Sequence, residues 1–366
     1  MIKYYTRACN FYYGKLSKRF VKKKKSLPLC GNKEISFDQI EIFSRNKKKI
    51  SSRIINIKKI NLLSKLEKKK ITLDIRNITS KRKYFNKKSY ALMGILNITP
   101  DSFSDGGKFN TKKKASKRIV EMIKSGADII DIGGESTRPE SKTIPQLVEW
   151  KRIKETIKEF KKKFPKILLS VDTRKSLVIK NAMKYKLDIV NDVSCFKFDK
   201  NLSKIIKNKN IWKIIHHMQG TPQTMQKNPK YNNVLLDIYD FFDKEVKKMK
   251  KDKFFKKIIL DPGIGFGKNL KHNLIIMNKI SLFHSLGFPI LIGTSKKRFI
   301  SQISKSFDSN ERLGGTLSSV LFTLSQGVQI FRIHNVKEIK QGILVFENLL
   351  KKWKKNTLEQ MGLEVK

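Results

Sequence analysis

A chain of 366 residues with 39% hydrophobic and 31% charged side chains has enough apolar material for at least one sizeable core, which excludes disorder throughout. Its 81 Lys and Arg against 31 Asp and Glu give a formal net charge of +50, a balance that invites a nucleic-acid or anionic-membrane reading. The excess is spread along the whole chain, with 27 basic and 5 acidic side chains in residues 1–88 and 54 and 26 in the rest. Most of it is Lys beside abundant Ile and Asn, which A/T-rich coding produces without any polyanionic partner.

The first acidic residue is Glu34, and before it lie Lys3, Arg7, Lys15, Lys18, Arg19 and Lys22 to Lys25. An acid-free, Arg-containing N-terminus is the composition of an organelle transit peptide, and in a Lys-rich chain it also arises by drift. The expected compartment is therefore the bacterial cytoplasm, with an organelle as the alternative if residues 1–33 are such an address. Residues 34 to 88 have short apolar runs between Lys clusters without Gly or Pro punctuation, so residues 1–88 read as a Lys-rich extension, disordered or targeting, with no domain of its own. Cys9, Cys30 and Cys195 are odd in number and scattered, which argues against a disulfide framework or a zinc site. No run reaches the roughly 18 to 20 consecutive apolar residues of a membrane-spanning helix.

From Tyr90 the texture changes. Short apolar runs predict strands at Ala91 to Ile98, Asp128 to Ile132, Ile167 to Asp172, Asp188 to Val193, Ile211 to His216, Lys257 to Asp261, Pro289 to Thr294 and Gln329 to His334. Between them, amphipathic patterns predict helices over residues 112–125, 146–163, 175–185, 202–207, 234–250, 272–285, 312–325 and 336–354. Apolar runs bounded by turns suit strands buried on both faces, and strict strand/helix alternation demands a parallel sheet. Eight such units match a (β/α)8 TIM barrel over residues 89–355, with residues 356–366 as a tail. An open doubly wound sheet is the structural alternative.

Most of the polar and Gly signals fall at the C-terminal ends of these strands, which in a barrel form one face. Strand one runs into Asn97, Thr99, Pro100, Asp101, Phe103, Asp105 and a Gly pair, where Asn97 offers an oxygen for a hard cation and the aspartates suit turn caps. Strand two holds Asp131 and ends in a Gly pair, Thr137, Arg138 and Pro139; the Arg fork suits carboxylate or phosphate. Asp172, Asn191 and Asp261 end strands three, four and six. Singly each reads as a cap or a satisfied core group, but on one barrel they point inward together, where a nitrogen-rich heterocycle would satisfy them. Ser295, Lys296 and Lys297 follow strand seven, and alternation puts Arg332 and His334 of strand eight on one face. The Gly-rich stretch after Asp261 lacks the spacing and the Ser/Thr of a P-loop.

The strings Met93 to Gly107 (MGILNITPDSFSDGG), Asp131 to Pro139 (DIGGESTRP), Ser170 to Thr173, Asn191 to Ser194, His217 to Gly220, Leu260 to Lys268 (LDPGIGFGK) and Arg332 to Val336 closely resemble those of the dihydropteroate synthases, in unbroken order over about residues 90 to 350. The resemblance implies a transferase of folate synthesis that condenses 6-hydroxymethyl-7,8-dihydropterin diphosphate with 4-aminobenzoate, releasing pyrophosphate. It implies that Asp172, Asn191, Asp261 and Lys297 hold the pterin ring, that Thr137, Arg138, Arg332 and His334 surround the diphosphate, and that Asn97 ligates Mg²⁺. Thr99, Asp101, Phe103, Thr137, Pro139 and Ser295 would form the 4-aminobenzoate site, the one that sulfonamides imitate. Asp131, Asp172, Lys297, Arg332 and His334 are the residues expected to carry catalysis by positioning and electrostatics, with no side-chain nucleophile. The expected partners are these small molecules and a second copy in a homodimer, with no specific nucleic acid and no membrane.

Three positions depart from the family pattern: Lys296 where Arg is usual, Asn335 where Asp is usual, and His216 where a Met commonly packs near the pterin. Lys296 keeps charge without the fork, and His216 changes the packing beneath the ring. Two other readings compete. A pterin-dependent methyltransferase barrel would share the Asp and Asn strand ends without needing a diphosphate clamp; a basic RNA- or membrane-associated protein would keep only a decayed barrel.

Overall fold

The computed structural model describes residues 2–82, 84–85, 89–99, 108–136, 141–305 and 308–352. All eight strands expected after Tyr90 are present: β5 (Ala91–Asn97), β6 (Ile129–Gly133), β7 (Leu168–Asp172), β8 (Ile189–Asp192), β9 (Trp212–His216), β10 (Ile258–Asp261), β11 (Leu291–Ile292) and β12 (Ile330–Ile333). They pair in parallel in the order β10-β9-β8-β7-β6-β5-β12-β11, and a parallel bridge from Leu260 to Ile290 joins the two ends. The sheet is closed, so the open-sheet alternative falls.

The strands form because Ile, Val and Leu stand at successive positions, one facing in and the next facing out. Ala91, Met93, Ile129, Ile189, Ile214, Ile259, Leu291 and Ile330 fill the inside as one cluster. The alternate residues, among them Leu92, Ile130, Val171, Val190, Ile215, Leu260 and Phe331, join the helix-facing core. With a side-chain period of two, four of these inward apolar residues are followed two positions on by a charged or amide side chain: Ile129 by Asp131, Ile189 by Asn191, Ile259 by Asp261, Ile330 by Arg332. The barrel is therefore oily at the entry end of its strands and polar at their exit.

The surrounding helices are α3 (Lys108–Lys124), α4 (Gln146–Lys163), α5 (Ser176–Ala182), α6 (Lys200–Ile206), α7 (Val234–Met249), α8 (Leu270–Asn278), α9 (Arg298–Ser304), α10 (Leu313–Ser325) and α11 (Val336–Lys352). Only α9, a two-turn helix after the cationic run at 296–298, lacks a counterpart in the sequence pattern. None of the described helices is long and apolar enough to cross a membrane.

The N-terminal stretch requires a correction. It is ordered: β1 (Lys3–Tyr13), β2 (Leu27–Leu29), β3 (Asn32–Asn46) and β4 (Lys49–Asn56) make an antiparallel sheet, joined by helices at Gly14–Lys22 and Lys65–Thr79. The long β3 is central, with β1 along one side and β2 and β4 sharing the other. Ala8, Leu29, Phe37, Ile40, Ile42, Ile71 and Ile78 form its own apolar cluster, in which the second helix covers the sheet. Tyr5 and Phe43 instead join the barrel's core, so the sheet is docked on it. Charge fixes the dock: Arg45 pairs with Asp237 and, at 3.0 Å, with Asp240 of α7, while buried Glu41 takes Arg7 at 2.7 Å and Lys279 at 2.6 Å. Burial alone would raise the Glu41 carboxyl, but Lys279 and Arg7 outweigh it and hold the group below its ordinary value. Ordered strands occupy the stretch that composition also allowed as an address.

Candidate active site

The exit end of the barrel gathers charged side chains from four strands and an amide from a fifth around one point. Arg332 of β12 donates from Nε to Asp131 Oδ2 at 2.7 Å and from Nη2 to Asp172 Oδ2 at 2.6 Å. Asn191 donates to the same Asp131 oxygen at 3.1 Å. The second oxygens, Asp131 Oδ1 and Asp172 Oδ1, are buried with no donor in reach among the described residues. Leaving a buried acceptor unmade costs roughly 1–3 kcal/mol, so two of them in one cluster mark a place built to receive N–H groups from a ligand. Burial raises the Asp172 carboxyl well above its usual range, against the pull of Arg332 and with a further push from Asp131. For Arg332 burial works toward a lower value, yet Asp131 and Asp172 outweigh it and leave the guanidinium firmly charged.

Asp261 and Lys297 lie beside this cluster. Asp261 Oδ1 accepts from the Gly263 amide at 2.8 Å. Gly263 has φ +65°, and a Cβ there would lie 2.1 Å from the His217 carbonyl oxygen, so only glycine lets this loop fold against the end of β9. Lys297 donates to the Ile264 carbonyl, and its Nζ stands 4.5 Å from the centre of the Phe266 ring. Burial lowers the Lys297 ammonium to about 8; Asp261 opposes the shift and Arg332 adds to it. The neighbouring Lys268 is buried and ties the two loops together, donating to His217 O at 3.2 Å and Phe266 O at 2.8 Å.

The remaining expected residues lie around the rim. His334 and Ser295 meet at 2.9 Å between Nδ1 and Oγ, so Ser295 orients the imidazole. Arg332 reaches inward to the carboxylates, whereas His334, past the end of β12, meets Ser295 of the loop after β11. Asn97 ends β5, opposite Gly133. A Cβ on Gly133 would lie in ordinary contact with Asn97 Oδ1 at 3.6 Å and the Asp172 Cβ at 3.4 Å, so Asn97 and Asp172 flank this glycine. Thr99 follows β5 at partial exposure. Asp101, Phe103, Thr137, Arg138 and Pro139 lie outside the described residues.

Three features had no place in the motif reading. Phe266 forms an aromatic wall, with the His216 ring edge-on at 4.7 Å. Arg118 of α3 donates to the His334 carbonyl at 2.6 Å. Glu135 accepts from Arg174 at 2.8 Å and from Lys175 at 2.8 Å, and Lys175 also reaches Glu149 at 2.6 Å, which braces the loop after β6 from β7 and α4. The Glu in the string GGEST was the available signal; its partners in the loop after β7 were not.

A family model for pterin binding enzymes matches residues 93–334. A dihydropteroate synthase from Escherichia coli strain K12 is 37% identical over 260 residues, 71% of this chain and 91% of the relative. Among solved structures, a Yersinia pestis dihydropteroate synthase in a sulfonamide drug complex superposes with a TM-score of 0.65 at 34% identity, covering 71% of this chain and 93% of the other. One from Xanthomonas albilineans, in complex with 7,8-dihydropteroate, gives a TM-score of 0.65 at 26% identity over 72% and 95%.

Proposed function

The chain belongs to the pterin-binding enzymes, within the dihydropteroate synthase family, and on that premise we propose how its residues share the reaction. It is a transferase of folate synthesis: the methylene carbon of 6-hydroxymethyl-7,8-dihydropterin diphosphate passes from the diphosphate oxygen to the amine of 4-aminobenzoate, giving 7,8-dihydropteroate and pyrophosphate. The observation that carries the division of labour is the pair of orphaned carboxylate oxygens on Asp131 and Asp172 beside a fully charged Arg332.

The pterin edge, rich in N–H donors, meets Asp172 and Asp261, while Asn191 and Lys297 supply donors to its ring nitrogen and oxygen acceptors. Asp131, buried and bonded to both Arg332 and Asn191, aligns those two. Among the described residues Arg332 Nη1 has no acceptor, which leaves a donor for the departing diphosphate, joined by His334 and, from the loop after β6, by Thr137 and Arg138. Charge on the leaving group grows as the carbon–oxygen bond breaks, and fixed cations in a dry site stabilise it. Thr99, Asp101, Phe103, Pro139 and Ser295 would seat the aminobenzoate, whose amine then attacks the pterin-stabilised cation. Asn97, at the end of β5 with its side-chain oxygen beside Gly133, would hold Mg²⁺, which supplies charge neutralisation of the diphosphate. One protein oxygen suffices for an ion that keeps its waters and binds substrate phosphates.

A homodimer is the assembly that the surface supports. Phe322 of α10 and Leu344, Val345 and Leu349 of α11 are exposed apolar side chains that a second copy could cover. Buried, unpaired Cys9 and Cys195 suit a reducing, cytoplasmic setting. The deciding experiment is a product assay with both substrates, with and without Mg²⁺, alongside sedimentation of the protein. Dihydropteroate formed only when both substrates are present is the expected outcome; turnover unaffected by removing Mg²⁺ would dismiss the metal role.

A further inference from the structure

His216 ends β9, pointing into the barrel two positions after inward-facing Ile214, and it departs from the Met common in the family. Its Nδ1 lies 3.1 Å from the Val193 carbonyl oxygen. A carbonyl only accepts, so Nδ1 carries the hydrogen, and in the neutral ring Nε2 is left as a bare acceptor. Nε2 stands 4.0 Å from Asp261 Oδ2. Among the described residues no donor reaches either atom: Asp261 is bonded only through its other oxygen, to Gly263. Two acceptors that face one space without a hydrogen between them repel each other until a donor arrives.

Both are held in that arrangement. The ring is clamped by Val193 on one side and by the edge-on Phe266 ring at 4.7 Å on the other, and Gly263, whose Cβ would fall 3.1 Å from Nε2, fills the space behind. Protonation of Nε2 would relieve the repulsion, but burial drives the imidazole down to about 4, with Asp261 opposing and Lys268 and Lys297 adding to the fall. The ring is therefore neutral at pH 7.

We propose that His216 is a specificity-determining residue that pairs with Asp261 to form a double-acceptor edge, selecting a ring that carries an exocyclic NH2 next to a ring N–H. An NH2 nitrogen about 2.9 Å from each acceptor donates one hydrogen to each, which a Met thioether cannot reproduce at comparable strength. This rests on the pterin reading above and deepens it: the recognised feature is the 2-amino group.

The test compares two ligands in three proteins. Affinities for the pterin diphosphate and for its 2-deamino analogue are measured by calorimetry in the parent, His216→Met and His216→Gln, whose side-chain oxygen restores an acceptor. Expected is a tenfold or greater loss of the aminopterin in His216→Met, little change for the deamino analogue, and partial recovery in His216→Gln. An equal loss for both ligands, or none for either, overturns the proposal. Should His216→Met not fold, the ¹⁵N spectrum of the parent decides: Nε2 must be unprotonated at pH 7 and its resonance must move upfield when the aminopterin binds, and an unmoved resonance overturns the proposal. A parent that binds neither ligand would instead defeat the pterin reading itself.

Discussion

The exit end of the barrel and the N-terminal sheet docked on its flank both bury paired charged side chains, but they differ in how completely the carboxylates are engaged. In the dock, charge meets charge within the protein: Glu41 between Arg7 and Lys279, Arg45 between Asp237 and Asp240. At the exit end Arg332 also pairs with Asp131 and Asp172, but each of these carboxylates keeps one buried oxygen without a donor among the described residues, and Lys297 rests on a neutral carbonyl and an aromatic ring. A buried pair whose oxygens are all engaged holds a geometry; one that leaves acceptors over has bonds to give a ligand. What sets the exit end apart is that two carboxylate oxygens left over lie together around one arginine, and the contrast can be broken from either side.

The largest effect is expected from removing the scaffold side. A chain starting at Ser89 loses the sheet that covers Tyr239, Ser281 and His284, together with the bonds from Ser281 Oγ to Ala8 O at 2.9 Å and from Arg82 to His284 O at 2.7 Å. The stability loss should be several kcal/mol, lowering Tm by roughly 10 °C or more. No described residue of the extension reaches the exit end, so the soluble fraction should keep its kcat at low temperature. A stable but inactive truncated protein would show that the extension contributes to the site.

Next comes the site side. Asp172→Asn replaces an acceptor by a donor that faces ligand N–H groups, so pterin affinity should fall by about 2–3 kcal/mol, roughly 30- to 150-fold, with calorimetry as the measurement. Tm should hold or rise, because the amide needs no costly ionisation in a buried place. Arg45→Ala, the matching change in the dock, should do the reverse: a loss of about 1–2 kcal/mol in stability, read by chemical denaturation, with unchanged pterin affinity. If both variants moved both quantities, the division into scaffold and site would not stand.

The same contrast governs what was legible in the sequence. The eight barrel strands were readable because buried parallel strands are runs of Ile, Val and Leu, and because Asp131, Asp172, Asn191 and Asp261 stand where those runs stop. Strand β3 carries Ser, Asp, Gln and Glu among its apolar residues, since parts of both its faces meet water or ion pairs, and its partner β1 is thirty residues away in register at Cys9 and Gln39. Composition alone made such a stretch look like an unfolded basic leader. Pairings between distant elements were equally invisible: Glu135 with Lys175, Arg45 with Asp237, and Arg332 turned inward onto carboxylates. Alternation places a side chain on a face, but packing decides which partner it takes.

The smallest effect expected is also the one in which site and scaffold pull in opposite directions with pH. Lys297 has its ammonium lowered from 10.5 to about 8 by burial, so in the free protein the cation is half lost at pH 8. A ligand that offers acceptors and a diphosphate favours the charged form, and binding therefore takes up a proton. Pterin affinity should fall as pH rises through 8, by about twofold at pH 8 itself and up to tenfold per unit beyond it. Stability of the ligand-free chain should move the other way: between about 8 and 10.5 the unfolded chain binds a proton that the folded chain does not, so this group's contribution rises with pH. Calorimetry of the pterin diphosphate in two buffers of different ionisation enthalpy reports the proton uptake directly, and denaturation at the same pH values reports the stability. In Lys297→Met both slopes should flatten while overall pterin affinity drops. A parent whose affinity stayed level from pH 7 to 9, with no proton taken up, would mean that Lys297 does not face the ligand, and its contact with Phe266 would belong to the scaffold after all.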